Sequence, residues 1–167
     1  DPQLAELVAD AMREGHNQYA PMPGVPVLLE AIGARLQQRH GLGLEPQRCI
    51  TVTLGATEAI FSAIQALVGP GDEVIVFDPC YDSYDPAVRL AGAQCVHLPL
   101  SAPHFTYDWD AVRAAVSDRT RLIIINSPHN PSCTVLGEGD LDQLAAIVEG
   151  RDIRVLSDEV YEHVVFD

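Results

Sequence analysis

The chain has 167 residues, of which 47% are hydrophobic and 20% are charged, and its formal net charge is −14. This length and composition predict a soluble globular chain with one domain's worth of core. The acidic balance argues against a nucleic-acid partner. No apolar run approaches the roughly 18 residues needed to cross a bilayer, and residues 1–6 lack the basic and apolar pattern of a signal peptide.

The cysteines and the absence of lysine limit the kinds of site that the chain can form. The four cysteines, Cys49, Cys80, Cys95 and Cys133, are irregularly spaced and form no C-x-x-C pair. We therefore predict reduced thiols in a cytoplasmic protein, packing as small apolar residues. All ten basic residues are arginines, so no lysine amine of this polypeptide is available for chemistry.

Apolar spacing predicts two helices in the first third of the chain. The first covers 2–14, with Asp1 as its N-cap, and the second covers 26–40, with Gly41 as its C-terminal stop. The residues between them, 17–24, are rich in turn formers and predict a loop.

Strand and helix patterns alternate from residue 50 onward. Predicted strands cover 50–53, 73–77, 94–98, 122–125 and 153–156, and predicted helices cover 55–68, 84–90, 108–116 and 138–149. This alternation predicts an α/β fold of three layers, a mostly parallel sheet with helices on both faces. The apolar residues 164–167 lead us to expect a piece of a longer protein.

Two of the predicted strands are followed by groups suited to a ligand. Gly55, Ala56 and Thr57 open a helix, where free backbone N–H groups suit a phosphate; a plain turn with Thr57 as N-cap is the simpler interpretation. Tyr81 lies in a proline-containing loop where it could stack on a flat heteroaromatic ligand, or simply pack at the surface.

Two later strands end in similar groups. The loop 126–131 contains two prolines and two asparagines, including Asn130, as a binding loop would. Asp158 ends the last predicted strand and Tyr161 follows it closely. No second histidine or carboxylate stands at metal-ligand spacing from His129, and His163, although near Asp158 and Glu159, is an equally weak metal candidate. No G-x-S-x-G hydrolase motif is present. The carboxyl ends of parallel strands collect ligands, and these groups together suit a phosphorylated pyridine.

These segments give the chain a resemblance to the fold-type I, pyridoxal-phosphate-dependent aminotransferases of class I/II, most closely to methionine and kynurenine aminotransferases. The matching blocks occur in family order and cover essentially the whole chain: 17–24, 55–59, 70–84, 126–131 and 157–163. The resemblance implies transfer of an amino group between an amino acid, of methionine, aromatic or kynurenine type, and a 2-oxo acid.

The resemblance also implies roles for individual residues toward pyridoxal 5'-phosphate. Ala56 and Thr57 would hold its phosphate, and Tyr81 would stack on its ring. Asn130 and Tyr161 would hydrogen-bond the ring oxygen. Asp158 would pair with the protonated ring nitrogen and keep the ring electron-withdrawing.

Two further residues match the family's dimer and substrate features. Tyr19 would reach the cofactor phosphate of the partner subunit, which implies a homodimer. Gly24 would keep its loop close to the substrate. Ser132 and Cys133 stand where the family usually has Thr-Gly, and a cysteine tolerates a positive φ poorly.

Other family features are missing from residues 1–167. They are the Schiff-base lysine, the substrate-binding arginine, the N-terminal arm, the rest of the large domain and the small domain. We therefore expect the chain to be part of the large, cofactor-binding domain and to be inactive alone. A C–S β-lyase on the same scaffold and a non-catalytic relic or binding module are the alternative interpretations.

Overall fold

The computed structural model describes residues 1–165. These form two compact units, one of residues 1–53 and one that begins at Leu54. The first unit contains α1 (Pro2–Arg13), α2 (Pro26–His40) and α3 (Pro46–Cys49). The second contains α4 (Gly55–Leu67), β1 (Glu73–Asp78), α5 (Tyr84–Leu90), β2 (Gln94–Pro99), α6 (Trp109–Ala115), β3 (Thr120–Asn126), α7 (Glu138–Val148) and β4 (Arg154–Asp158).

The predicted N-cap of α1 and the predicted C-terminal stop of α2 are confirmed, and α1 ends one residue earlier than predicted, at Arg13. The Asp1 carboxylate accepts a hydrogen bond from the Gln3 backbone N–H at 2.9 Å and so caps α1. Helix α2 ends at Gly41, which adopts the left-handed conformation with φ +68°. The short helix α3, which begins with Pro46, was not predicted.

The predicted strand over 50–53 is wrong. Residues 50–53 form no strand, although Ile50 has an extended backbone. The Val52 N–H donates to the carbonyl oxygen of Pro23 at 2.8 Å, an isolated contact with a loop. Strand-forming residues alone do not make a strand, because a ladder also needs a neighbouring strand in register.

The structure gives the backbone conformation of Gly24 and the exposure of Tyr19, the two residues of the first unit for which the sequence predicted a role. Gly24 has a φ of +123°, and a Cβ there would lie 2.8 Å from Cγ2 of Val52. Only glycine meets both conditions without strain. Tyr19 is fully exposed, at 102% of its reference area.

A four-stranded, all-parallel sheet organises the second unit. The strand order is β2-β1-β3-β4, so β2 and β4 are the two edges. At the carboxyl end of the sheet, Asn126 of β3 pairs in register with Asp158 of β4. Because the strands are parallel, the residues that follow β1, β3 and β4 all lie at the carboxyl end of the sheet.

The two central strands, β1 and β3, bury both of their faces. Successive side chains alternate between two cores, as a strand with two covered faces requires. One core, against α4 and α5, includes Ile60, Ile64, Val74, Val76, Val88, Leu122 and Ile124. The other, against α6 and α7, includes Ile75, Phe77, Val112, Ile123, Ile125, Leu144 and Ile147. The predicted three-layer α/β fold is confirmed.

Two smaller predictions have mixed outcomes. The helix predicted over 108–116 is α6, and its first predicted residue, Asp108, is the N-cap, which accepts hydrogen bonds from the N–H groups of residues 110 and 111. All four cysteines are free, but Cys49 and Cys133 are exposed, so the prediction that they pack as small apolar residues is wrong for these two. Within residues 1–165, no helix combines the length and apolarity needed to cross a membrane.

Candidate active site

A cavity of about 210 Å³ lies at the carboxyl end of the sheet. Its walls come from the first turn of α4 and from the segments that follow β1, β3 and β4. The lining residues are Ala56, Thr57, Ile60, Tyr81, Asn126, Asn130, Asp158, Val160 and Tyr161. Four chain segments that are distant in sequence therefore meet at one site, as expected for a parallel sheet.

Asp158 is the charged group of this cavity, and it is only 8% exposed. Its Oδ2 accepts a hydrogen bond of 2.6 Å from the Tyr84 hydroxyl, and its Oδ1 accepts one of 3.2 Å from the Val160 N–H. Each carboxylate oxygen can accept a further bond, so Asp158 retains capacity for a ligand donor. The buried carboxylate is thus oriented before any ligand arrives.

The backbone of Asp158 is held as firmly as its side chain. Its carbonyl oxygen accepts hydrogen bonds from Nδ2 of Asn126 at 2.9 Å and from the Ser127 N–H at 3.1 Å. These bonds join the ends of β3 and β4. The position of Asp158 therefore follows from the sheet rather than from a mobile loop.

Tyr84 is buried beneath the cavity, with 3% of its surface exposed. Burial raises the pKa of its phenol, and the Asp158 carboxylate raises that pKa further. Tyr84 therefore stays protonated and acts as a donor to Asp158.

Tyr81 and Thr57 form a hydroxyl pair in the wall of the cavity. The oxygens Oγ1 of Thr57 and Oη of Tyr81 are 3.1 Å apart. This hydrogen bond is the main cause that lowers the pKa of Tyr81, and a bond from Ser83 also lowers it. The Tyr81 ring meets the Tyr84 ring edge to face, with centroids 5.7 Å apart. Both contacts restrict the orientation of the Tyr81 ring.

Helix α4 begins at the cavity with Gly55, whose φ of +80° suits glycine alone. Its N-cap is Leu54, not Thr57, so the simple interpretation of Thr57 as the N-cap is wrong. Ala56 and Thr57 lie within the first turn, where backbone N–H groups have no intrahelical acceptor. Such groups, together with the helix dipole, attract an anion.

The loop after β3 is shaped by hydrogen bonds within it. Oδ1 of Asn126 accepts the Asn130 N–H at 2.7 Å, and Nδ1 of His129 lies 2.7 Å from Oγ of Ser132. Burial lowers the pKa of His129, which favours the neutral ring. Cys133 adopts a φ of +60°, so the turn forms in the left-handed region although glycine is absent there.

The structure brings six of the predicted cofactor residues together. Ala56, Thr57, Tyr81, Asn130, Asp158 and Tyr161 all line the cavity. Tyr19 and Gly24 belong to the first unit. Sequence reasoning missed the roles of Tyr84 and Asn126, whose side chains hold the Asp158 carboxylate and backbone. The spacing Tyr81-x-x-Tyr84 after a strand was the available signal for the former.

The second unit is a three-layer α/β domain with a candidate ligand site at the carboxyl end of its parallel sheet. That site combines a buried carboxylate, a helix N-terminus and an aromatic side chain. The family described as aminotransferase class I and II matches residues 2–167, and the chain belongs to this family.

The similar proteins of known name are aminotransferases. The chain is 50% identical over 163 residues to methionine aminotransferase of Escherichia coli K12, covering 98% of this chain and 42% of that protein. It is 46% identical over 168 residues to a probable N-succinyldiaminopimelate aminotransferase, DapC, of Mycobacterium tuberculosis, covering 99% of this chain and 42% of that protein. The crystal structure of YbdL from E. coli, a methionine aminotransferase, superposes with a TM-score of 0.96 at 49% identity, covering 98% of this chain and 43% of that one. The chain therefore spans less than half the length of these relatives.

Proposed function

We propose that this chain forms the cofactor cradle of a pyridoxal-phosphate-dependent aminotransferase. The complete enzyme moves an amino group between an amino acid and a 2-oxo acid. Family membership and the aminotransferase relatives support this proposal. The observation that carries it is the buried Asp158 carboxylate, fixed by Tyr84 and aimed into the cavity.

The residues of the cavity fit pyridoxal 5'-phosphate by their chemistry. When bound, this cofactor supplies a pyridinium ring that withdraws electrons from the substrate. A buried carboxylate favours a protonated nitrogen beside it, so Asp158 would hold a proton on the ring nitrogen. The Tyr84 hydroxyl and the Val160 N–H keep the Asp158 oxygens in place for that role.

The first turn of α4 would hold the cofactor phosphate. The backbone N–H groups of Ala56 and Thr57 point out of the helix N-terminus, which favours an anion. The Thr57 hydroxyl adds a donor, and its contact with Tyr81 orients it. Binding the phosphate at this place would fix the cofactor at the end opposite to Asp158.

The remaining wall residues would orient the ring. Tyr81 offers its aromatic face for stacking, and its ring is already positioned by Thr57 and Tyr84. Asn130 and Tyr161 supply an amide and a phenol, both able to donate to the ring oxygen. Each of them follows a strand end, so the sheet sets their separation.

We further propose a substrate of the methionine, aromatic or kynurenine type. The support is the 50% identity to the E. coli methionine aminotransferase. The named relatives are aminotransferases, which favours transamination over C–S β-elimination and over a non-catalytic relic or binding module.

No lysine occurs in the sequence, so none of its residues supplies a lysine amine to the cofactor. We propose that residues 1–167 are part of the large domain, hold the cofactor without a covalent bond and do not turn over alone. The rest of the large domain, the N-terminal arm and the small domain would supply the missing lysine and the substrate arginine.

We propose a cytoplasmic homodimer as the complete enzyme. Tyr19 is fully exposed, as a residue that reaches a partner subunit would be in one chain. The apolar side chains Leu4, Leu7, Val8 and Met12 of α1 are each at least 60% exposed and would gain from burial by further protein. Four free thiols are typical of a reducing compartment.

Titration with pyridoxal 5'-phosphate, followed by cofactor absorbance and tyrosine fluorescence, tests the cradle. We expect saturable binding to the chain and at least a tenfold weaker affinity for Asp158→Asn. The matched control is Asp118→Asn, an exposed carboxylate near the amino end of β3, which should bind like the parent chain. Equal affinity of the parent and Asp158→Asn would rule out the assigned role of Asp158.

Borohydride reduction in the presence of cofactor, followed by mass spectrometry, tests the absence of a covalent link. We expect no lysine-type adduct on residues 1–167. A stoichiometric covalent adduct on these residues would contradict the proposed non-covalent cradle.

A further inference from the structure

A second group of chemically active side chains lies away from the cofactor cavity, on the α5 side of edge strand β2. Cys95 and His97 are two residues apart on β2 and therefore point to the same face of the sheet. Asp78 ends β1, Cys80 follows it, and Asp85 lies in the first turn of α5. We refer to these five residues as the His97 cluster.

His97 is held between two carboxylates. Its Nδ1 lies 3.1 Å from both oxygens of Asp78, and its Nε2 lies 3.4 Å from Oδ1 of Asp85. The potential ligand atoms of Asp85, Cys95 and His97 all lie within 4.8 Å of one another. Imidazole, thiolate and carboxylate are the ligand types that zinc takes in proteins.

The two contacts of His97 differ in kind. We assign a proton to Nδ1, because the Asp78 carboxylate can only accept a hydrogen bond. Metal-binding histidines commonly make such a bond on the nitrogen that faces away from the metal. The Nε2 contact is long for a charge-assisted hydrogen bond. Tetrahedral zinc, with bonds of about 2.0–2.2 Å, places a nitrogen and an oxygen ligand roughly 3.3–3.5 Å apart. The Nε2–Oδ1 separation of 3.4 Å matches that spacing.

We propose that Asp85, Cys95 and His97 form a binding site for one Zn²⁺ ion. His97 binds through Nε2, Cys95 through Sγ and Asp85 through Oδ1, and water completes the tetrahedron. The thiol proton of Cys95 passes to solvent as the zinc–sulfur bond forms, and a proton on Nε2 of His97 leaves in the same way as the zinc–nitrogen bond forms. Asp78 orients the imidazole through Nδ1.

A second triad, Asp78, Cys80 and His97, also has its ligand atoms within 4.8 Å. It is the weaker candidate, because Nδ1 of His97 is already bonded to Asp78 and carries the proton there. The Asp85 side of the ring has Nε2 available and a carboxylate already placed. Oδ2 of Asp85 is paired with Nε of Arg89 at 2.7 Å, which leaves Oδ1 for the ion.

A metal ion can reach this site from solvent, and once bound it would link strand β2 to helix α5. The side chains of His97 and Asp85 are 39% and 25% exposed, so an ion has access from solvent. Zinc bound there joins edge strand β2 to the first turn of α5. That turn also contains Tyr84, which holds the Asp158 carboxylate. Zinc should therefore stabilise the strand and helix that support the cofactor cavity.

Metal titration of the whole chain, freed of metal with a chelator and kept reduced, tests the site. Calorimetry with Zn²⁺ alone should show one equivalent bound, and Co²⁺ should give the visible absorption of a tetrahedral site with a thiolate ligand. We expect Cys95→Ser and His97→Gln each to weaken Zn²⁺ binding at least a hundredfold. Asp78→Asn should weaken it about tenfold, as loss of an orienting carboxylate does.

Two matched variants make the assignment specific. Cys80→Ser removes the thiol of the second triad and Cys49→Ser removes an exposed thiol of the first unit; both should bind Zn²⁺ like the parent chain. Far-ultraviolet circular dichroism without metal shows whether each variant is folded. If Cys95→Ser does not fold, the Co²⁺ spectrum of Cys80→Ser decides, because a sulfur-to-metal charge-transfer band that persists without Cys80 excludes the second triad.

Three results with the variants and with Co²⁺ would overturn the proposal. They are parent-like Zn²⁺ affinity in Cys95→Ser, loss of binding in Cys80→Ser instead, and a Co²⁺ spectrum without a thiolate band. Displacement of Zn²⁺ by millimolar Mg²⁺ would also overturn it, because it indicates an adventitious ion on an acidic surface. Each of these results measures Zn²⁺ or Co²⁺ binding and not cofactor affinity, so failure of the zinc site is distinguishable from failure of the cofactor cradle.

Discussion

The hydroxyl of Tyr84 donates a 2.6 Å hydrogen bond to Oδ2 of Asp158, and both residues are buried. The bond joins the first turn of α5 to the last residue of β4, 74 positions away in the chain. A buried carboxylate without donors would be costly, because it loses its hydration. Tyr84 therefore stabilises the fold and orients the acid of the cavity at the same time.

Replacing Tyr84 by phenylalanine should lower both stability and cofactor affinity. The substitution keeps the ring but removes a donor to a buried charge, a loss of about 1.5–3 kcal/mol in the free energy of unfolding. Urea denaturation measures the first effect and titration with pyridoxal 5'-phosphate the second. An unchanged urea midpoint would contradict the role of this hydrogen bond.

Tyr107 provides the matched control and a prediction of opposite sign. Its hydroxyl is buried, and no hydrogen-bond partner is found for it among residues 1–165. The ring stacks on Trp109 with centroids 5.3 Å apart, a contact that phenylalanine preserves. Tyr107→Phe should therefore raise the free energy of unfolding, by roughly 1 kcal/mol, because an unpaired polar atom leaves the interior. A loss of stability would show that this hydroxyl has a partner.

Cys133 occupies a backbone conformation that suits glycine. Its φ of +60° carries a penalty of about 1–2 kcal/mol for an L-residue, while glycine costs about 0.5–1 kcal/mol through the unfolded chain. Cys133→Gly should therefore stabilise the chain by up to about 1 kcal/mol in urea denaturation. Cys49→Gly, in helix α3, is the comparison and should destabilise the chain by a similar amount.

Glu73 should make stability depend on pH. The Ser117 hydroxyl donates to Oε2 at 2.5 Å and Arg119 donates to Oε1, and both bonds lower the pKa of the Glu73 carboxyl. A lowered pKa in the folded state means that its stabilisation is present above the unfolded pKa of about 4.3 and is lost as the pH falls through the folded value.

Replacing Glu73 by glutamine tests this sign. We expect a loss of about 1–3 kcal/mol at pH 7, from two charge-assisted hydrogen bonds, and a smaller loss at pH 3. Urea denaturation at both pH values gives the difference. Glu6→Gln, at an exposed position in α1, should change stability by less than about 0.5 kcal/mol at either pH. An equal loss at both pH values would show that the charge of Glu73 is not involved.

The order of strands and helices from residue 73 onward could be predicted from the sequence, because periodicity and turn residues are local signals. The helix ends at Asp1, Gly41 and Asp108 could be predicted for the same reason. The sequence also allowed the prediction that Thr57, Tyr81, Asn130 and Asp158 lie at one site. Parallel strands joined by helical crossovers place all their carboxyl ends at the same end of the sheet.

Only the tertiary structure decided which strands form a ladder and which side chains meet at the carboxyl end of the sheet. Residues 50–53 have strand-forming side chains and still form no strand, because ladder formation depends on a neighbour that local sequence does not specify. The Tyr84–Asp158 bond depends on the side-by-side pairing of strands and the seating of α5, and so does the meeting of Asp85, Cys95 and His97. The sequence by itself determined the types of residue at the strand ends and their order along the chain. The contacts between these residues depend on how distant segments pack, because the free energy of the whole fold, and not the local sequence, determines that packing.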